Sequence, residues 1–192
     1  MTHDPNDLIM LFNDLFREPY RTVLVKGGAE PEYLPADNAD GFAQIIFAHD
    51  YYASALHEIS HWCIAGEQRR TLRDYGYWYC PDGRSRQQQQ EFEAVEVRPQ
   101  ALEWLFSVAA GSRFHISVDN LSGDGGVDEV VFRNRVRNQA EAYLVHGMPR
   151  RAQRFFNALG TFYGAPEDFR VAWNRETGRA ETQWFETDTE VS

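Results

Sequence analysis

His57, Glu58 and His61 stand in the order H-E-x-x-H. On a helix, side chains four apart share a face at a separation of about 6 Å, so imidazoles at this spacing reach a single metal ion. Glu58, about 100° around the helix from His57, then meets a water on that ion. Two imidazoles do not make a tight site, so a third ligand is required, and a catalytic ion also keeps a position open. The acidic stretch downstream offers Glu91, Glu93, Glu96 and Glu103, with Phe92, Val95 and Leu102 marking its buried side. Glu96 lies at the edge of that buried face. Pro99 also leaves the carbonyl of Val95 without its helical donor, the kind of irregularity that occurs beside sites. Glu96 is therefore the expected third ligand, and Glu93, one turn earlier, is the alternative.

The other histidines carry weaker expectations. His3 is terminal, and His146 precedes Gly147 at a helix end, where a cation suits the dipole; both read as structural or solvated. His49 and His115 flank the candidate elements and read as supporting groups or alternative ligands. Cys63 and Cys80 are the only cysteines, too few for a disulfide framework or a thiolate zinc site, and Cys63 reads as core packing.

Two reaction classes fit such a constellation. In one, zinc activates a water, Glu58 takes its proton, and a peptide bond is hydrolysed. In the other, two histidines and Glu96 form a facial triad on ferrous iron with positions left for dioxygen, which makes a hydroxylase. Residue spacing does not choose between them. A non-catalytic, metal-stabilised binding protein fits less well, because structural zinc sites are usually closed by four ligands and richer in cysteine.

The elements that must position these groups follow from periodicity. Asp4-Pro5-Asn6-Asp7 caps a helix with Leu8, Leu11, Phe12, Leu15 and Phe16 on its inner face, broken at Glu18-Pro19. Thr22 to Val25 reads as a strand, 29 to 41 as a loop, and Gln44 to Ala48 as a second strand. Asp50 is the expected cap of the metal helix and Gly66 its stop, with Tyr52, Ala55, Leu56, Ile59 and Trp62 or Cys63 facing the core. Ser54 and Ala65 are small and leave room above a metal. The segment Asp74 to Asp82 packs Tyr75, Tyr77, Trp78 and Tyr79 into five positions, more than one strand face holds, so some of them line a surface or cleft. At Pro99 the acidic helix kinks or starts afresh, and it runs to Gly111. Arg113 to Val118 alternates as a strand, 121 to 128 is a glycine-rich loop, and helices over 128 to 145 and 149 to 163 close the domain.

These elements amount to an α+β, helix-rich single domain over residues 1–170, followed by a polar tail at 171–192. The chain has 192 residues, 43% apolar, with a formal charge of −10. That size buries a core, and that charge argues against nucleic acid or an anionic membrane as partner and more easily accommodates a cationic substrate or a partner with a local basic patch. The acidic N-terminus does not read as a signal peptide. No run approaches the roughly 20 apolar residues of a membrane span, so a soluble, cytoplasmic protein is expected, with a monomer as the simplest state.

Several blocks resemble the bacterial elongation factor P hydroxylase family: Phe47-Ala48-His49, Tyr52-Ala53-Ser54-Ala55, HEISHWCIAG at 57–66, DYGYWYCPDGR at 74–84, FEAVEVRPQALEWLF at 92–106, SVDNLSGD at 117–124 and VVFRNRV at 130–136. The resemblance runs from about Leu8 to Tyr163. It implies hydroxylation of a lysine on elongation factor P that already carries a β-lysyl group, at a two-histidine, one-carboxylate site in a zincin-like scaffold with the H-E-x-x-H motif on a central helix. His57, His61 and Glu96 fall on the family's ligand positions, and Glu58 on the motif's acid. The metal implied is iron(II) in the active form, with zinc able to occupy the isolated protein, and dioxygen is the co-substrate. For a substrate carrying two ammonium groups, Asp74, Tyr75, Tyr77, Trp78, Tyr79 and Asp82 offer carboxylates and aromatic faces.

Overall fold

The computed structural model describes residues 3–38, 41–76, 85–117, 128–164 and 169–178. Helix α1 covers Pro5–Tyr20, capped by the Asp4 side chain accepting from Asn6 N, with Leu8, Phe12 and Phe16 buried. It does not break at Pro19. A proline takes the N–H away from the carbonyl four residues back, here Leu15, and Arg154 Nη2 supplies a donor to that oxygen at 3.3 Å. The helix ends at Arg21, in the left-handed region.

Strands β1 (Thr22–Lys26), β2 (Glu32–Leu34) and β3 (Ala43–Phe47) form a sheet in the order β1-β3-β2. β1 runs parallel to β3 with Leu24 opposite Ile45, and β2 runs antiparallel to β3 with Tyr33 opposite Ile45. β2 lies in the stretch read from sequence as a loop, because Pro31 and Pro35 frame a strand of only three residues.

Helix α2 (Tyr52–Ile64) follows β3. Its N-cap is Tyr51, without a side-chain cap bond, and not Asp50; Asp50 has φ +55° and pairs with Lys26 at 3.2 Å. Trp62 and Cys63 are both buried. The ring of Trp62 is enclosed by Phe12, Phe16 and Tyr20, with centroids 4.9 to 5.4 Å away. Arg151 closes the end of α2: its Nη2 reaches the Trp62 carbonyl at 2.8 Å and those of Cys63 and Ala65, while its guanidinium lies 4.7 Å from the Trp62 ring centre. A short 3-10 turn, Arg69–Thr71, and a left-handed turn over Arg73–Gly76 come next.

Helix α3 (Arg86–Ala110) is the axis of the fold. Ser85 and Gln88 form a reciprocal capping box at its start, Gly111 ends it, and the helix runs through Pro99 without a fresh start. From Pro99 to Ala110 every residue is buried. Around it pack α2, α4 (Glu129–His146), α5 (Arg150–Tyr163) and α6 (Phe169–Thr177). α6 was not anticipated, yet its Trp173 is fully buried against Trp104 at 5.1 Å; the residue 170 boundary falls inside this helix.

The strand expected over Arg113 to Val118 does not form in its described part, up to Ser117. Its backbone partner is a side chain: Gln100 Oε1 accepts from Ser117 N at 3.1 Å, and Gln100 Nε2 donates to Ser117 O at 2.8 Å. One buried amide thus makes the pair of bonds a neighbouring strand would make, for one residue only. The whole is a helix-rich α+β domain with a small mixed sheet.

Candidate metal centre

α2 and α3 pack face to face, and that contact brings together His57, His61 and Glu96, one ligand atom from each lying within 4.8 Å of the others. His61 Nε2 stands 3.0 Å from His57 Nε2 and 3.1 Å from Glu96 Oε1, and His57 Nε2 stands 3.5 Å from Glu96 Oε2. Ligand atoms about 2.1 Å from one ion and 90–109° apart would be roughly 3.0–3.4 Å from each other. The spacing fits an ion.

Two further features fit one as well. Glu96 Oε1 is buried without a well-directed hydrogen bond, despite its closeness to His61. His57 Nδ1 is 2.8 Å from Glu103 Oε2; if that nitrogen donates, the lone pair of Nε2 faces His61 and Glu96, which is the tautomer a metal requires. Two facing imidazole nitrogens repel unless a proton or an ion lies between them.

The electrostatics follow from the crowding. Burial works against a charged His57, but the carboxylates of Glu96 and Glu103 outweigh it and push the imidazole up to about 10. Burial alone would raise Glu96, whereas His61 and His57 hold it down at about 2. Glu103 and Glu58 are both raised, in each case mainly by burial. Glu58 is half-buried and has no hydrogen-bond partner among the described residues, which leaves its carboxyl available beside the site.

The other sequence candidates divide clearly. Glu93 turns away from the histidines to pair with Arg135 at 3.1 Å. His49 and His115 are exposed and outside the cluster. His3 anchors the N-terminus, its Nε2 being 2.8 Å from the Ala110 carbonyl. Tyr77, Trp78, Tyr79 and Asp82 lie outside the described residues. Asp74 and Tyr75 are described, and both adopt left-handed backbone, φ +47° and +58°, continued by Gly76 at +71°. For the two non-glycine residues this costs on the order of 1–2 kcal/mol each. Neighbours hold the turn: Asp74 Oδ1 accepts from Tyr33 N at 2.8 Å, Arg69 Nη1 donates to the Tyr75 carbonyl at 3.0 Å, and the Tyr75 ring stacks on Tyr33 at 4.3 Å. The product of that strain is a buried Tyr75 ring lying parallel to His61 at 6.4 Å.

Glu103 and Gln100 are the contributors that spacing did not single out. Gln100 Nε2 lies 3.4 Å from Glu96 Oε2 while also holding Ser117. A signal was present: Glu96, Gln100 and Glu103 fall at i, i+4 and i+7, one stripe of α3, and they are polar residues in a buried helix.

A family model described as elongation factor P hydroxylase matches residues 11–172. A curated protein of Haemophilus influenzae, elongation factor P lysine hydroxylase, is 49% identical over 172 residues, covering 90% of this chain and 96% of its own length.

Proposed function

The chain belongs to the elongation factor P hydroxylase family, and from that premise we infer that it hydroxylates the β-lysyl-modified lysine of elongation factor P, with dioxygen, at a metal held by His57, His61 and Glu96. The observation that carries the reading is the convergence of two imidazole nitrogens and one carboxylate at the α2–α3 contact. Three protein ligands are fewer than an iron ion takes, so an ion held by them would keep positions for dioxygen, as non-haem iron oxygenases require. The scaffold in this reading is zincin-like, with the H-E-x-x-H residues on α2 packed against the axial helix α3, and one catalytic domain runs through α6, past the boundary expected at residue 170.

Ferrous iron, when bound, supplies the dioxygen chemistry that no side chain provides. The protein does the rest. Glu103 keeps the His57 proton on Nδ1 and turns Nε2 inward. Gln100 steadies the ionised Glu96 carboxylate. Glu58, its carboxyl raised by burial, stands next to the site as the group placed to take up or hand on a proton. Asp74, Tyr75, Tyr77, Trp78, Tyr79 and Asp82 supply carboxylates and aromatic rings for the cationic substrate. The protein works in this reading as a cytoplasmic monomer that needs neither nucleic acid nor membrane; no described helix is long and apolar enough to cross a bilayer.

Mass spectrometry of β-lysylated elongation factor P, incubated with the protein, ferrous iron and oxygen, tests this directly. The expected result is a gain of one oxygen atom on the modified lysine. No gain, together with cleavage of a casein substrate, would return the H-E-x-x-H motif to its peptidase meaning.

A further inference from the structure

A cleft of about 650 Å³ opens beside His61, between the chain that leaves α2 and the first half of α3. Its walls are mostly short or apolar: Ile64, Ala65 and Gly66 on one side, Ala94, Val95 and Pro99 on the other. Such walls suit a methylene chain. A Cβ built at Gly66 meets nothing within 4 Å, and no left-handed backbone demands glycine there; the missing side chain is what leaves this part of the cleft open.

The polar groups of the cleft sort by whether they are engaged. Arg69 donates to the Tyr75 carbonyl at 3.0 Å, and Arg98 Nε to Tyr143 Oη at 3.2 Å, so both guanidinium groups brace the walls. Glu67 is exposed in the lining and makes no hydrogen bond or ion pair to the described residues. Pro99 has no N–H to give the Val95 carbonyl, and both residues line the cleft. An apolar stem that carries N–H donors suits these walls, and Glu67 is the carboxylate of a lining whose two guanidinium groups are already engaged with neutral acceptors.

We propose that this cleft is the seat of the substrate side chain: the aminoacyl-extended lysine lies along the Ile64, Gly66 and Val95 walls with its reacting carbon toward His61, and Glu67 takes a terminal ammonium. The proposal rests on the hydroxylase reading above and adds to it where the substrate binds and which residue recognises the charge. Glu67 thereby favours the extended lysine over groups that carry no cation at that reach.

The test uses the full chain loaded with zinc, which permits binding without turnover, and elongation factor P with and without the β-lysyl group. Calorimetry should show the modified factor binding more tightly to the unaltered protein. Gly66→Leu, which fills the cleft, should weaken that binding by about tenfold or more while zinc content and Tm stay unchanged. Glu67→Gln should weaken it by about tenfold, since a charge-assisted hydrogen bond is lost, and should raise KM with kcat within about twofold in the iron-loaded enzyme. Should Gly66→Leu fail to fold, Glu67→Gln alone decides. Wild-type binding and KM in folded Gly66→Leu or in Glu67→Gln would overturn the proposal while leaving the hydroxylase reading intact. Competition by succinate in place of the modified factor would overturn it too, because the arginines would then define an anion site. Absence of any hydroxylation by the unaltered protein would instead defeat the reading beneath it.

Discussion

His57 is where most of the chemistry of this protein is prepared, because its two ring nitrogens have separate tasks. Nδ1 meets Glu103 and Nε2 faces His61 and Glu96. Glu103→Gln leaves the tautomer ungoverned and weakens metal binding by about 10–100-fold, measured by competition with a chromophoric chelator; Glu58→Gln leaves that affinity unchanged and slows the hydroxylation. Unchanged affinity in the Glu103 variant would show that the imidazole is oriented by packing alone.

Protons compete with metal at the same residue. Burial disfavours an imidazolium at His57, yet Glu96 and Glu103 reverse that and hold it protonated to about 10 in the metal-free protein. Metal uptake at neutral pH therefore expels a proton, and affinity climbs about tenfold per pH unit toward that value. Calorimetry in buffers of different ionisation enthalpy reads the proton, and finding none released would contradict the assignment. For stability of the metal-free fold, the raised His57 contributes fully below its ordinary 6.5 and is lost through about 10. The lowered Glu96 contributes fully above its ordinary 4.5 and is lost as pH falls through about 2. Resistance to denaturant, as far as this pair sets it, is greatest between 4.5 and 6.5.

At the scale of elements, the C-terminal end of α2 depends on α5. Helix ends leave carbonyls without partners, and Arg151 Nη2 shares its two hydrogens among those of Trp62, Cys63 and Ala65, the last also held by Arg70, while the guanidinium packs on Trp62. Arg151→Met removes the donors but keeps much of the stem, so a loss of about 1–3 kcal/mol is expected, read as a lower midpoint in urea. A change below a few tenths would mean that water replaces the arginine. The helices were legible where end signals and periodic apolar residues agree: Asp4 and Asp128 begin helices, and Gly111 and Gly147 end them, whereas the Ser85 cap of α3 was not read. The failures have specific causes. Pro19 was tolerated because a distant arginine repairs the bond it breaks, and in the described part of the strand expected at 113–118 a side-chain amide takes the place of a neighbouring strand. Glu96 was legible from its place at the edge of an apolar face. Glu103 was not, because its partner is an imidazole 46 positions away, and the preference of one buried carboxylate for another element leaves no mark on local pattern.

At the scale of the whole molecule, the site exists only when α2 and α3 are docked, since their residues supply both imidazoles and both buried carboxylates. An unfolded chain offers no such cluster, so metal binding and folding are linked. Metal at about 1,000 times its Kd should stabilise the fold by about 4 kcal/mol. Differential scanning calorimetry with and without zinc checks this, and His61→Ala should abolish the shift. A zinc-dependent rise that persisted in that variant would place the ion elsewhere.

The amide of Gln100 has a consequence of its own. It holds Ser117 by both backbone groups, seventeen positions along the chain, and touches the carboxylate that faces the two imidazoles. An event at the metal is thus wired to the surface path after α3. In heavy water, the Ser117 amide should trade its hydrogen slowly while Glu96 is tethered and faster once Glu96 is replaced by alanine, a clock on the surface that keeps time with the centre.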